Sequence, residues 1–412
     1  MIRSSALYIS LIISILIVLI CGALLMIGFT YKMFERKQNR LRVLKENVAS
    51  GTLMVLQKEF KTDTSMRISL FGQDRDSVLL EKRSWGIYEI GVVKSWIQQD
   101  SVGTAFMIGA MPTDTLKVLY LTDEDRPMSI TGESMIKGTA YLPKSGIKAG
   151  YVESYGYKDK TLVYGSIKSS GRNLPKPDME LIGRISDLSD LAIDSTAQLP
   201  DSIRNSFTHK PARFHFPKEV LLPNGFSAKG NVIISSDSLI VVAEGSLLDK
   251  VILMAPEVRI GKKFRGNLQV FATDSILLGD STQLTYPSAL VLIKNDSAKF
   301  QALIKVGKDV RISGQLFAYE GERSLLMPII SIGERTLIKG EIWCQGYVGL
   351  NKKAVIHGSV SAIRLIANVG AAIYENYLID VRLDKKALSK YYLSSVLLNA
   401  ESNKGKVLCR LE

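Results

Sequence analysis

The stretch Ile332-Gly333-Glu334-Arg335-Thr336-Leu337-Ile338-Lys339-Gly340-Glu341-Ile342 is the clearest copy of a motif that recurs along the chain. Its pattern is an aliphatic residue, usually a glycine, four mostly polar positions, a second aliphatic residue, any residue, and a glycine. Three copies align closely and begin at residues 306, 332 and 350. Their aliphatic and glycine positions are Val306, Gly307, Ile312, Gly314, Ile332, Gly333, Ile338, Gly340, Leu350, Ile356 and Gly358.

The spacing of these copies predicts a solenoid, because steps of 26 and 18 residues fit stacked coils of three short strands, with a loop inserted in one coil. Alternating aliphatic residues, as in Val232-Ile234 and Leu268-Val270, would point inward. Glycine suits corners that need a positive φ or a close backbone approach. A β-sandwich would place Asn-Gly turns between strands, and Asn224-Gly225 alone fits that pattern. We therefore predict a mainly β chain with a β-helix body.

These copies resemble bactofilins, which are bacterial polymer-forming β-helix proteins whose coils carry the same alternation of aliphatic residues and glycine. The resemblance covers about Phe214 to Asp380. It implies a β-helix fold and a structural role in which self-association, or an envelope protein partner, engages the coils.

The N-terminal region is apolar enough to cross a membrane. Residues 4–31 carry no charge, and about 20 such residues in a helix span the hydrocarbon layer. The run is longer than a cleavable signal and leads directly into Lys32, so we expect a retained transmembrane helix that contacts the lipid bilayer. Residues 32–60 continue with apolar residues at a helical spacing, which predicts a juxtamembrane amphipathic helix. The expected location is a bacterial cytoplasmic membrane, crossed once.

The charges after this span leave the side of the body open. Six basic residues in 32–45 would keep the body in the cytoplasm by the positive-inside rule, but long translocated domains often disregard it. The long apolar helix, charged continuation and β-rich body also resemble type IV minor pilins, and this resemblance implies a body outside the cytoplasmic membrane. The processing site of that family, a Gly before a Phe with a Glu five residues into the mature helix, is absent here.

The rest of the chain divides into five predicted segments. Proline positions bound a helical excursion between the first coils and the main β-helix. The segments are a β-rich connector (61–128), first β-helix coils (129–171, with a motif copy from Ile130 to Gly138), the helical excursion (172–213), the main β-helix (214–380), and a C-terminal cap containing a short helix and a strand (381–412).

Composition excludes several classes of protein. Of the 412 residues 46% are hydrophobic and 23% charged, a globular balance. Three cysteines exclude a disulfide-dense scaffold, and three histidines leave little for a metal centre. The net charge is +13, but only +7 remains once Arg3 and the basic flank are subtracted, which is too dilute for nucleic acid binding.

Candidate catalytic groups are weak, so no catalytic, cofactor-binding or metal residue is predicted. Asp237, Asp274 and Asp296 each precede Ser, which is typical of turns, although a carbohydrate-active β-helix enzyme would need such carboxylates. The histidines are expected to be structural: His357 lies within a repeat that lacks the six-residue period of hexapeptide acyltransferases, and His209 and His215 lack further ligands. We therefore expect no cofactor, no small-molecule substrate and no enzymatic activity. The sequence favours a membrane-anchored structural or scaffold protein of the bacterial cell envelope. The alternatives are a minor pilin-like component and an envelope-anchored carbohydrate-active enzyme.

Overall fold

The computed structural model describes residues 2–70, 76–112, 114–152, 155–188, 199–295, 299–370, 372–398 and 405–411. Among these residues strands predominate, and the two α-helices both lie before residue 189. The elements up to residue 188 are α1 (Ile2–Val55), β1 (Thr64–Ile68), β2 (Ser77–Trp85), β3 (Tyr88–Ile97), β4 (Asp100–Ala110), β5 (Lys117–Leu121), β6 (Met128–Thr131), β7 (Met135–Lys137), β8 (Thr139–Leu142), β9 (Ile147–Ala149), β10 (Tyr151–Val152), β11 (Tyr155–Gly156), β12 (Ile167–Ser169) and α2 (Met179–Leu188).

The second half is built from strands, many of them long and bent. They are β13 (Ser202–Asn205), β14 (Ala212–Phe216), β15 (Val220–Leu222), β16 (Ser227–Ser236), β17 (Leu239–Val242), β18 (Leu247–Met254), β19 (Glu257–Ile260), β20 (Arg265–Ala272), β21 (Ser275–Leu278), β22 (Gln283–Lys294), β23 (Leu303–Val306), β24 (Arg311–Glu320), β25 (Ile329–Ile332), β26 (Leu337–Leu350), β27 (Val355–Val369), β28 (Ala372–Glu375), β29 (Tyr377–Ile379), β30 (Arg382–Asp384) and β31 (Gly405–Leu411). A single 3₁₀ turn (Val396–Leu398) precedes β31 among the described residues.

Helix α1 has 54 residues and joins the predicted segment 4–31 to most of the predicted segment 32–60, of which residues 56–60 lie beyond the end of the helix. It is long and apolar enough to cross a membrane, and none of its most apolar window is buried. Burial begins near Leu44, and from there to Val55 one side of the helix packs on an antiparallel sheet. The exposed and the buried parts of the helix are therefore one continuous rod.

The antiparallel sheet has the order β1-β2-β3-β4-β31. One of its faces packs on α1 through a small apolar cluster that includes Val55, Leu80 and Phe106. Strand β31 comes from the opposite end of the chain and completes the edge beside β4, pairing Gly405 with Ala110. The predicted C-terminal cap 381–412 is thus divided, because its first strand, β30, pairs with β27 and its last strand joins this sheet.

A parallel β-sheet forms most of the remaining fold, beside a small parallel sheet in the order β29-β6-β9, the antiparallel pair β10–β11, and β28, which pairs antiparallel with β27. Strands pair in parallel with strands one repeat further along the chain. Each repeat is here called a rung. The pairings define three rows: row 1 (β13, the first halves of the long strands, β30 and β7), row 2 (β14, the second halves of the long strands, β5, β8 and β12) and row 3 (β15, β17, β19, β21, β23, β25 and the last parts of β26 and β27). The inward side chains of all three rows share one continuous apolar cluster.

The stacking order differs from the order of the chain. The sequence predicts that residues 129–171 supply the first coils. In the structure β5, β7, β8 and β12 stack beyond β27 and β30, at the end of the parallel body that follows the last repeat. There β27 pairs with β5, aligning Val360 with Leu119, and β30 pairs with β7, aligning Leu383 with Ile136. The predicted excursion 172–213 contains α2 and also β13, which starts row 1 at the other end. Periodicity reports the spacing within a row and carries no signal for such distant pairing.

The outer side of row 2 is covered by the antiparallel sheet and by α2. Side chains such as Ile252, Phe271 and Phe317 pack there against Trp85 and Ile185. The side chain of Gln269 joins the two β regions, because it accepts a hydrogen bond from the amide of Ile87 at 2.9 Å and donates one to the carbonyl of Trp85 at 3.1 Å. The fold is therefore a helix, an antiparallel sheet and a parallel body, packed in that order.

Candidate functional site

The aliphatic repeat positions all face the apolar interior of the parallel body. Each is at most 3% exposed, and together they occupy equivalent places in rows 1 and 3. They are Val306, Ile312, Ile332, Ile338, Leu350 and Ile356. Burying a side chain of this size contributes roughly 1.5–3 kcal/mol, so these positions are a main source of stability.

The second glycine of each motif copy lies directly above a backbone carbonyl of the neighbouring rung. A Cβ added to Gly340 would overlap the carbonyl oxygen of Gly314, and one added to Gly358 would overlap that of Gly340. Gly314 stands in the same relation to Ser288. All three glycines have positive φ, between 148° and 155°, so both the conformation and the space exclude side chains.

The first glycines form a second column. A Cβ on Gly333 would overlap the carbonyl oxygen of Gly307, and one on Gly307 would lie 2.6 Å from Oδ1 of Asp280. In the third copy Asn351 replaces glycine, and its side-chain amide donates to the carbonyl of Ile332 at 2.8 Å. The motif thus marks two columns of close backbone contact.

Two residues after Gly307, Gly333 and Asn351, the chain adopts a left-handed backbone conformation at a residue with a charged side chain. Asp309, Arg335 and Lys353 have φ values of 58°, 55° and 64°. The guanidinium of Arg335 donates to both carboxylate oxygens of Asp309 at 2.7 Å, which links two rungs. Sequence reasoning missed these residues, although their fixed offset of three from an inward aliphatic residue was a usable signal.

A buried ion pair fixes one inserted loop. Lys294 lies 3.5 Å from Glu320, and both side chains are almost completely buried. The Lys294 ammonium also donates to Ser324 Oγ and to the carbonyl of Leu326, each at 2.7 Å. These contacts tie the loop after β24 to β22.

The outward positions of row 1 are strongly basic. They alternate with the inward column that contains Ile312, Ile338, Ile356 and Leu383. Two acidic residues, Asp249 and Asp384, lie on these positions in the described chain. The basic residues there are Arg204, Lys229, Arg265, Arg311, Lys339, Arg382 and Lys137. We call this surface the basic row.

Among the residues considered for catalysis, His215 and Asp237 line one cavity of about 600 Å³, and His357 lies elsewhere, in row 1. Asp237 lies 3.4 Å from His215, Asp274 accepts a hydrogen bond from Thr273 at 2.7 Å, and Asp296 lies outside the described residues. His357 is an outward residue of row 1, and burial lowers its pKa more strongly than nearby Asp384 raises it. Among the described residues no cluster of three potential metal ligands occurs.

The cysteines differ in environment. Cys344 is fully buried in row 2, and burial raises the pKa of its thiol. Cys409, in β31, is half-buried, and burial is again the largest cause of its raised pKa. Cys21 is exposed on the apolar part of α1, so only that cysteine and Cys409 are reachable from outside the protein.

Three surfaces of the described structure differ in character: the apolar part of α1, the basic row, and the exposed strand β12 at the end of row 2. No family model, curated protein or solved structure matches the chain, so these surfaces carry the functional argument.

Proposed function

We propose that the protein is a single-pass, membrane-anchored scaffold of the bacterial cell envelope, and that its parallel body is a β-helix. The observation that carries this proposal is the continuity of α1, which links an exposed apolar span to a sheet packed on the body. One rigid element thus connects a lipid-soluble segment to a large folded surface.

The apolar part of α1 supports the anchor. Large aliphatic side chains from Leu7 to Ile27 are about half exposed or more. In water this exposure is unfavourable by roughly 25 cal/mol for each Å² of apolar surface, whereas lipid removes the cost. Charged residues resume at Lys32, where such a segment would reach the lipid headgroups.

The parallel body supports a scaffold role. Consecutive rungs pair in all three rows, and their inward side chains fill a single core. Stacked repeats of this kind contact mainly their neighbours and present long, regular outer surfaces. A β-helix therefore suits a structural element better than a site that closes around a small substrate.

The exposed end of row 2 supports self-association. Strand β12 pairs with β8 and has no second partner strand among the described residues, and all three of its side chains are exposed. An unpaired strand edge is a template for another strand. The row begins at β14, so a second copy could add its first rung to this edge head to tail.

Membrane fractionation tests the anchor. We expect wild-type protein to resist alkaline extraction from membranes and Leu16→Arg/Leu19→Arg to be released, because arginine is costly at the centre of a bilayer. Leu325→Arg, at a fully solvated leucine of the body, is the matched control and should stay in the membrane. Release of all three proteins, or of none, would refute the anchor.

Sedimentation of the full-length protein in detergent tests the scaffold. Wild type should form assemblies that grow with concentration, and Ser169→Pro should shift the distribution toward the monomer, because the Ser169 amide points away from β8 and proline removes it from the exposed edge. Lys160→Pro, in the exposed loop before β12, is the matched control. A wild type that is monomeric at every concentration would contradict this proposal.

A minor pilin-like component is the second candidate, and the packing of α1 across the antiparallel sheet favours it. In such an assembly the exposed halves of neighbouring helices would contact each other. Cross-linking through Cys21 in membranes, with Cys21→Ser as control, should then give dimers that persist in Ser169→Pro. Assemblies that depend on β12 and show no Cys21 cross-link favour the scaffold.

The side of the body can be determined with a new thiol. Lys262→Cys places a cysteine at an exposed corner, and Cys344 in the same chain is an internal control that should react only after unfolding. Labelling of intact spheroplasts by an impermeant reagent identifies an external body, and labelling after lysis alone identifies a cytoplasmic one.

A further inference from the structure

We propose that the basic row binds a linear acidic polysaccharide that lies along the axis of the parallel body. The outward positions of row 1 carry seven cations and two carboxylates over ten consecutive rungs. Rungs repeat every ~4.8 Å, so this surface is about 43 Å long. Its length and regularity fit an extended chain rather than a compact ligand.

The central cations are available to a ligand. Arg265, Arg311 and Lys339 are exposed, and no carboxylate of the described chain lies within 4.0 Å of them. By contrast, Lys137 lies 3.8 Å from Asp384 at the far end of the row. Three solvated cations on one flat surface attract a polyanion over the Debye length of about 8 Å.

Polar side chains occupy the positions between these cations. Gln283 separates Arg265 from Arg311 by one rung on each side, and Ser313 follows Arg311 on the same strand. Ser227 and Thr285 extend the polar positions along the row. Amides and hydroxyls donate and accept hydrogen bonds, so they complement sugar hydroxyls while the cations pair with carboxylates.

The surface is poorly suited to nucleic acid. Single strands bind through aromatic side chains that stack on successive bases. The described outward positions of row 1 hold two aromatic rings, His357 and Tyr164, which lie three rungs apart near one end of the row. The row therefore supplies charge and hydrogen bonds without a stacking platform.

The orientation of the row also argues against a bilayer as partner. Arg40 of α1 contacts Asp100 at the tip of the β3–β4 hairpin, next to the exposed half of the helix. From this tip β4 leads to Ala110, which bonds to Ser394, and Ser394 bonds to Gln315 several rungs along the body. The rows thus lead away from the apolar end of α1 and do not lie flat against the membrane that it would cross.

Row 3 is a useful contrast. Its outward positions include Leu277, Leu303 and Ile329, and its Arg259 is paired with Glu257 at 2.6 Å. Row 1 also has aliphatic residues at outward positions, such as Leu247 and Leu337, so the two rows differ in their excess of positive charge and not in apolar content. The excess on row 1 does not follow from strand formation, because row 3 forms without it.

Binding of defined polymers to the full-length protein in detergent tests the proposal. The probe is polygalacturonate, with neutral dextran, single-stranded DNA and anionic phospholipid vesicles as the other arms. We expect salt-dependent binding of polygalacturonate in preference to all three. The triple variant Arg265→Gln/Arg311→Gln/Lys339→Gln should bind about tenfold more weakly, because each exposed charge contact is worth a factor of about two.

The matched control is Lys262→Gln/Lys305→Gln/Lys308→Gln, which removes three exposed cations outside the basic row. It should bind within about twofold of wild type. Equal loss in both triple variants, tighter binding of DNA or vesicles, or no binding of polygalacturonate by the wild type would overturn the proposal. None of these results depends on whether the protein self-associates.

A measurement on the wild type guards against misfolding of the variants. Polygalacturonate should protect Lys339 from an amine-reactive reagent at least about threefold, while Lys262 reacts at an unchanged rate. Equal protection of both lysines would show nonspecific association and would contradict binding along row 1.

Discussion

The two β regions of this molecule both contain glycines that exclude side chains, but for different reasons. In the parallel body, Gly340 lies above the carbonyl oxygen of Gly314, so backbone blocks the space. In the antiparallel sheet, Gly91 lies against the ring of Phe106, so a side chain blocks it. A stacked backbone cannot move without moving its rung, whereas one ring can be replaced. The parallel body should therefore tolerate far less change at its glycines than the sheet.

The largest expected effect is that of Gly340→Ala. The new Cβ would overlap a neighbouring carbonyl, and Gly340 has a φ of 150°, which alanine rarely adopts. We expect a loss of about 4 kcal/mol or more, or failure to fold, measured by urea unfolding in detergent.

Gly183→Ala is the matched control for this substitution. Gly183 lies on the exposed side of α2 and has no atom within 4 Å of an added Cβ. Alanine should stabilise that helix by up to about 1 kcal/mol. Similar stability of the two variants would show that close stacking at Gly340 is not required.

Gly91→Ala should have a smaller effect and one that can be reversed. We expect a loss of about 2 kcal/mol from displacement of Phe106, and recovery of at least half of it in Gly91→Ala/Phe106→Leu, which gives the new methyl room. Phe106→Leu alone supplies the third corner of the cycle. We expect no such recovery in the parallel body. If adding Gly314→Ala restored the stability lost in Gly340→Ala, backbone stacking would not be what excludes a side chain at Gly340.

The contact between the two regions is the next test. Gln269→Leu would leave the amide of Ile87 and the carbonyl of Trp85 unpaired in a buried place, which costs about 2 kcal/mol. Faster hydrogen exchange at the Ile87 amide should accompany this loss. Gln283→Leu, an outward glutamine of row 1, is the control and should change stability by less than about 0.5 kcal/mol. Unchanged exchange at Ile87 would show that Gln269 does not hold the sheet on the body.

The sequence was informative wherever structure is local and periodic. The apolar run predicted the helix that became the first half of α1, and the spacing of Val306, Ile332 and Leu350 identified inward positions of row 3. The pairing of Leu119 with Val360 could not be predicted, because strands so far apart leave no common period. The same holds for β31 beside β4.

The basic row was missed for a different reason. Outward residues alternate with buried ones but are under no packing constraint, so Arg265 and Arg311 look like ordinary surface residues until the register aligns them. Only the pairing shows that cations scattered over most of the chain share one surface.

The smallest effect concerns Glu124, which links early and late parts of the chain. Burial alone would raise the pKa of Glu124, but hydrogen bonds from Arg364 and from Arg323 (2.8 Å) outweigh burial and lower it. A depressed folded-state pKa stabilises the protein above the unfolded value of about 4.3, and this contribution is lost as the pH falls through the folded pKa. Because the site is partly solvated, we expect about 1 kcal/mol or less at pH 7.

Glu124→Gln should therefore reduce stability at pH 7 and flatten the loss of stability below about pH 4.3, since the neutral amide does not titrate. Urea midpoints from pH 7 to pH 3 measure this. Glu244→Gln, at an exposed corner of the body, should leave the slope unchanged. A Glu124→Gln slope equal to that of wild type would mean that the two arginines hold the early and late rungs together no better than solvent does. The union of distant segments would then depend on strand pairings such as β5 with β27 and β7 with β30.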